Sequence, residues 1–195
     1  MAHILPHWNW PERKGQVTPV HVYTSGDEAE LFLNGKSLGK KSKGTSQYRL
    51  RWDDVVYQPG ELKVVAYKNG KIWAEDFMKT AGKAAGLSVS ADRTEIIPDG
   101  KDLVYVTVRI QDKNGLPVPR SNNQLYFTIE GAGKIVATDN GDATSHESFQ
   151  SSSKKAYNGL CLAIIAAEKG TSGKIIIKCE SKGLKSSSVA ININD

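Results

Sequence analysis

Few side chains in this 195-residue sequence have the type and spacing that covalent chemistry needs. Hydrolysis of an acetal linkage requires two carboxyl groups flanking the bond, one protonating the leaving group and the other acting as base or nucleophile. The available pairs are Glu28 with Glu30, Asp53 with Asp54, and Glu75 with Asp76. The first alternates with Ala29 and Leu31 along an extended run, and the other two stand at strand ends. Solvated faces account for all of them, so no residue is assigned a catalytic role. Ser145-His146-Glu147 has the residue types of a hydrolytic triad, but neighbours on extended or loop backbone point in divergent directions. Asp139-Asn140-Gly141-Asp142 looks like a calcium loop, yet it lacks the alternating oxygen ligands and closing glutamate of an EF-hand. A turn held by Asn and Asp side chains bonding the backbone is expected there. No phosphate-cradling glycine motif, redox dithiol or nucleotide signature is present, and no cofactor is expected.

The two cysteines are Cys161 and Cys179. Period-two counting places Cys179 with Ile175 and Ile177, facing a core, while Lys178 and Glu180 face out. Cys161 lies in a run apolar on both faces, which gives it no direction. The immunoglobulin-type bridge joins the second and sixth strands, and the second-strand candidate here has no cysteine, so two buried free thiols are expected. Two cysteines without a histidine partner leave no zinc site, and no metal is expected. Of the four tryptophans, Trp8, Trp10, Trp52 and Trp73 each offer an indole face on which the apolar side of a sugar ring can lie. For Trp52 and Trp73, core or cross-strand packing is the favoured role. Trp8 and Trp10 are the candidates for an external contact.

The elements that must position these groups are strands. Along Leu103 to Gln111, Val104, Val106, Val108 and Ile110 face one way and Tyr105, Thr107, Arg109 and Gln111 the other, the pattern of a half-buried strand. Similar runs cover 20–24, 28–33, 48–52, 62–67, 71–77, 124–129, 134–138, 160–166, 174–179 and 188–193. Asn34-Gly35, Asn69-Gly70 and Asn114-Gly115 separate apolar runs with the dipeptide that tight hairpins favour. Many short strands, with no long helix competing, predict an all-β chain of two consecutive immunoglobulin-like antiparallel sandwiches, closed barrels being the open alternative. Small residues at 79–86 interrupt the pattern, so the expected layout is a connector at 1–14, a small sandwich at 15–82 and a larger one at 86–195.

Composition bounds the function. The sequence is 39% hydrophobic with no long apolar run, which predicts a soluble globular protein without a membrane segment. The first residues lack the order of a signal peptide, and Met1-Ala2 read as an added start. The net charge is +5. Its one notable cluster is Lys36, Lys40, Lys41 and Lys43 among Gly35, Gly39 and Gly44. Nucleic-acid binding would need a broader basic face with stacking platforms. The cluster fits a loop or hairpin tip, its edge protected by lysine from strand-to-strand association.

The opening His3-Ile4-Leu5-Pro6-His7-Trp8-Asn9-Trp10-Pro11-Glu12 holds two tryptophans between prolines and makes a poor helix or central strand. It reads as a connector lying against something upstream. Together with 15–24 and 28–39 it resembles the segment after the catalytic barrel in bacterial glycoside hydrolase family 2 enzymes, the β-galactosidase-like group. Asp139 to Glu147 and Lys155 to Ile164 resemble the last immunoglobulin-like module of the same enzymes. The resemblance implies a C-terminal, non-catalytic piece of a parent that hydrolyses terminal β-linked sugars with retention through two glutamates on its barrel. It also implies that the barrel of the same chain is the partner, that Trp8 and Trp10 touch it or a glycan, and that the parent is periplasmic or secreted. Packing against the catalytic body, support of an oligomer contact and shaping of glycan access are the roles that follow. An autonomous carbohydrate-binding or adhesive immunoglobulin-like module is the main alternative, and an independent enzyme with a pocket of converging polar groups is a third.

Overall fold

The computed structural model describes residues 1–194. They form two compact units that divide between Thr80 and Ala81. Both are built almost wholly of antiparallel strands.

In the first unit the strands are β1 (Ala2–Leu5), β2 (Val20–Thr24), β3 (Glu28–Leu33), β4 (Lys36–Ser42), β5 (Leu50–Trp52), β6 (Glu61–Lys68) and β7 (Lys71–Lys79), with one short 3-10 turn at Pro11–Arg13. They make a three-stranded sheet, β1-β2-β5, and a four-stranded sheet, β4-β3-β6-β7. Alternation dictates the packing: Val20 and Val22 from one sheet meet Ala29, Leu31, Leu62, Val64 and Ala66 from the other, with Trp8, Trp52 and Tyr57 filling the same core. Side chains bridge both sides of the sandwich where the sheets are not joined by a ladder. The Ile4 amide on β1 donates to Asp76 Oδ2 on β7 at 2.9 Å. Opposite, Lys41 Nζ on β4 donates to the Arg51 carbonyl on β5 at 2.5 Å.

Two expectations need correction here. Residues 1–14 are not a bare connector: β1 pairs in register with β2, Ala2 opposite Thr24 and Leu5 opposite His21, and Trp8 is buried in this unit. Pro6 follows the last residue of β1, which lies at the edge of its sheet. The lysine cluster, read as a loop or hairpin tip, lies mostly on β4, an edge strand exposed except at Leu38, which packs against the core. Its lysines occupy the strand border that edge protection requires.

The second unit contains β8 (Ala84–Ala91), β9 (Glu95–Ile96), β10 (Leu103–Asp112), β11 (Gln124–Glu130), β12 (Gly133–Asp139), β13 (Ser153–Lys155), β14 (Leu160–Ala167), β15 (Gly173–Glu180) and β16 (Ser187–Ile193). They form a four-stranded sheet, β12-β14-β10-β8, and a five-stranded sheet, β13-β11-β15-β16-β9, in which only the short β9 runs parallel to its neighbour. The alternating valines of β10 and Ile110 pack with Ala163 and Ile165 of β14 and with Leu125, Phe127, Ile175, Ile177 and Ile191 of the other sheet. Two layers over one core make each unit a sandwich rather than a closed barrel. The hairpin dipeptides Asn34-Gly35 and Asn69-Gly70 have positive φ at both residues, as a tight hairpin between right-twisted strands requires.

Candidate functional site

The carboxylates that sequence alone offers for catalysis are spent on holding strands. On the outer face of β3, Glu28 accepts from Ser42 Oγ at 3.0 Å and pairs with Lys40, and Glu30 accepts from Ser37 Oγ at 2.5 Å. Asp53 accepts from Arg51, and Glu75 pairs with Lys63 at 3.0 Å. Asp76 takes the Ile4 and Phe77 amides. Asp54 lines a cleft of about 470 Å³ with Leu33, Leu38, Val55, Val56 and Gln58, where no second acid faces it. Apart from Asp54, each of these carboxylates is engaged by a hydroxyl, amide or cation of its own unit.

Ser145-His146-Glu147 behaves as loop backbone. Ser145 Oγ accepts the Glu147 amide at 3.4 Å, and Glu147 Oε2 accepts the Lys155 amide at 2.9 Å. The Asp139–Asp142 stretch is the turn expected: Asp139 Oδ1 accepts the Asn140 and Gly141 amides, Asn140 Oδ1 the Asp142 amide, and Asp142 Oδ1 the Thr144 amide and hydroxyl. The Thr144 hydroxyl and amide hold the Asp142 carboxyl below its ordinary range. Among the described residues, no three His, Cys, Asp or Glu side chains gather where they could hold a metal ion. No helix of the described residues is long and apolar enough to cross a membrane.

The tryptophans separate into two kinds. Trp8 is 1% exposed; its ring packs on Tyr57 and its Nε1 donates to the Gln58 carbonyl at 2.9 Å. A sugar ring therefore has no access to it, and of the two tryptophans expected to touch a barrel or a glycan only Trp10 keeps exposed surface. Trp52 is equally buried, with Nε1 donating to the Gly39 carbonyl at 3.3 Å. Trp10 is half-buried and stacked on His7, ring centroids 4.2 Å apart. Trp73, read as packing, is 50% exposed on the outer face of β7, with Lys68 Nζ 4.9 Å from its ring centroid and Nε1 donating to Ser25 Oγ. Phe77 stands two alternations away on the same face.

Both cysteines are buried free thiols. Burial pushes Cys161 and Cys179 up to about 12, so neither is a nucleophile at neutral pH.

Three features escaped sequence reading. Asp112 is buried at the end of β10. Counting by two from Val104 through Ile110 reaches it, so the apolar register itself was the signal. Lys154 is fully buried on β13, its Nζ donating to the Glu147 and Ser148 carbonyls at 3.0 and 3.2 Å; the flanking Ser153 and Lys155 gave no sign of that. The third is a cleft of about 450 Å³ on the β2-β5 face, lined by Tyr23, Gln47, Tyr48, Arg49 and Arg51.

Residues 87–190 match the glycoside hydrolase family 2 C-terminal domain 5, and residues 15–74 match a domain of unknown function, DUF4982. Along its full length the chain is 38% identical to the beta-galactosidase BoGH2A of Bacteroides ovatus, of which it covers 23%. It is 38% identical over 144 residues to a putative beta-glucuronidase of Formosa agariphila, covering 73% of this chain and 14% of that one. Among solved structures, a beta-glycosidase from Bacteroides vulgatus superposes with a TM-score of 0.93 at 29% identity, over 98% of this chain and 24% of that one. A glycosyl hydrolase family 2 member from Bacteroides cellulosilyticus gives 0.90 at 34%, over 98% and 28%. The chain thus covers between 14% and 28% of the length of these relatives.

Proposed function

From the premise that the chain belongs to glycoside hydrolase family 2, as part of its C-terminal region, we propose that it is a non-catalytic accessory region of a β-galactosidase-like enzyme. In this reading the parent hydrolyses terminal β-linked sugars in glycans, β-galactosides foremost, and its acid and nucleophile lie on a barrel outside these residues. The sandwiches serve as two domains that pack against that catalytic body. The half-buried Trp10 on His7 is the contact offered to it, and the parent works in the periplasm or outside the cell.

The observation that carries this is the fate of the carboxylates. Each candidate acid is committed to an amide, hydroxyl or cation of its own unit, or stands without a second acid across a cleft. A retaining mechanism needs two carboxyl groups facing one bond. The test is a chromogenic assay of this chain on β-galactoside and β-glucuronide substrates. No turnover is expected; turnover that survives purification and disappears on substitution of a carboxylate overturns the proposal.

A second reading, an autonomous carbohydrate-binding or adhesive module, has one observation in its favour. Trp73 and Phe77 are 50% and 57% exposed on one outer sheet face, and aromatic planes are what sugar rings lie on. Saturable glycan binding lost in a Trp73→Ala variant favours it; binding indifferent to that change does not.

A further inference from the structure

The outer face of the β1-β2-β5 sheet carries a second kind of surface. Cross-strand register sets His3 beside Tyr23 and His21 beside Arg51. Arg49 lies two residues before Arg51 on the same side, and Tyr48 beside it is 85% exposed. Tyr23, Gln47, Tyr48 and the two arginines line the open cleft of about 450 Å³.

The two arginines are not equivalent. Arg51 Nε and Nη2 both donate to Asp53 Oδ1, at 3.1 and 2.7 Å, so its charge is matched by a carboxylate. Arg49 makes no ion pair among the described residues; its Nη1 lies 3.4 Å from His21 Nδ1. Burial, and then the Arg49 and Arg51 guanidiniums, hold the His21 imidazole below its ordinary value. His21 is therefore neutral at pH 7, and its Nδ1 accepts from Arg49. That contact uses one edge of the guanidinium and leaves the remaining fork of donors for a planar acid.

We propose that this cleft binds a uronic acid residue of a glycan, with the carboxylate on Arg49 and the sugar ring against the tyrosines. Each half of the assignment has its own chemistry. A guanidinium without a carboxylate partner recognises a carboxylate by two parallel hydrogen bonds. Phenol rings offer the apolar plane that a pyranose presents a face to, together with a hydroxyl for its rim. The side-chain amide of Gln47 adds donors and an acceptor for ring hydroxyls. A bare anion would use the guanidinium and the hydroxyls and gain nothing from the two ring faces. The choice of a sugar among ring-bearing acids rests on the accessory role in a glycan-processing enzyme proposed above.

The test is an amide and arginine Nε–H chemical-shift titration of the 195-residue chain. The probes are a disaccharide ending in glucuronic acid, its neutral glucose counterpart, and acetate. The expected result is saturable shifts at Tyr23, Tyr48 and Arg49 with the uronic disaccharide. Binding should weaken about tenfold or more in Arg49→Ala and about tenfold with the neutral sugar. Arg49→Gln, which keeps hydrogen-bonding groups without charge, should lose the preference for the acid while its thermal melt stays unchanged. Equal shifts from acetate and the disaccharide overturn the proposal by reducing the cleft to an anion patch. So do equal binding of the neutral sugar, shifts confined to other residues, or no binding. If the uronic disaccharide fails and the chromogenic assay is silent, the accessory reading stands without this cleft. Turnover removes the accessory reading whatever the cleft does.

Discussion

Trp8 packs on Tyr57 with ring centroids 4.8 Å apart and planes inclined at 56°. Around that contact a set of hydrogen bonds ties the opening segment to the last residue of the first unit. Thr80 Oγ1 donates to the Trp8 carbonyl at 2.7 Å and accepts the Gly60 amide, and the Tyr57 hydroxyl accepts the Trp10 amide at 3.1 Å. The tryptophan thus anchors the opening segment to the sandwich, with Ile4 and Trp8 its two buried side chains. Truncating it should cost the first unit about 3–5 kcal/mol, the range for removing a large buried aromatic. Trp8→Phe should recover part of this by keeping the ring contact while losing the bond to Gln58. Denaturant unfolding followed by circular dichroism measures both, and equal losses in the two variants would contradict the ring-packing account.

Asp112 is the last residue of β10, paired with Ala84 of β8, and its carboxylate holds the turn that follows. Its Oδ2 accepts the Gly82 amide at 2.8 Å and its Oδ1 the Asn114 and Leu116 amides at 2.8 and 2.9 Å. The Gly82 bond leads in holding this carboxyl below its ordinary range; burial opposes it, and the Leu116 and Asn114 amides reinforce it. A folded pKa below the unfolded one means stability that is complete above the unfolded value and lost as pH falls through the folded one. The melting temperature of the second unit should therefore decline below about pH 4. Asp112→Ala should cost about 3 kcal/mol at pH 7, because it strands three amides. Asp112→Asn should cost less and flatten the acid limb of the melting profile; an unchanged acid limb counts against the assignment.

Most strands were legible because their apolar residues alternate, as β2, β3 and β10 show. The elements that were missed lack that signal. β1 carries a single buried apolar residue, Ile4, and β4 buries none, so each is specified by pairing with a neighbour, β1 with β2 and β4 with β3 across the Asn34-Gly35 hairpin. The arginine-tyrosine cleft was illegible for the same reason. Tyr23 and Arg49 are brought to one face by the pairing of β2 with β5, and nothing local to either predicts it. Asp112 was legible in principle, since it keeps the register of Val104 to Ile110.

Gly159 closes the hairpin that leads into β14, at φ +77° with its Cα facing the Val118 backbone. A β-carbon there would stand 2.4 Å from the Val118 carbonyl oxygen. Left-handed strain and a backbone collision add, so Gly159→Ala should destabilise the second unit by roughly 3 kcal/mol. Gly115 has φ +80° in open space, so Gly115→Ala isolates the strain alone and should cost only about 1 kcal/mol. Thermal melts of the two variants separate the contributions, and equal losses would mean that the Val118 contact yields without penalty.

Cys161 and Cys179 report on the core they sit in. Cys161 Sγ donates to the Asp139 carbonyl at 3.2 Å, and both thiols are pushed up to about 12, chiefly by burial. The attacking species in thiol labelling is the thiolate, so at pH 8 a thiol titrating near 12 offers it at about one part in ten thousand even before access is considered. Ellman's reagent should find essentially no reactive thiol in the native chain and two after guanidinium unfolding. Because labelling then waits on opening of the sandwich, its rate should rise in step with the destabilisation in Asp112→Ala and Gly159→Ala. Fast labelling of the stable native chain would instead mean that one of the two cysteines lies outside the closed core.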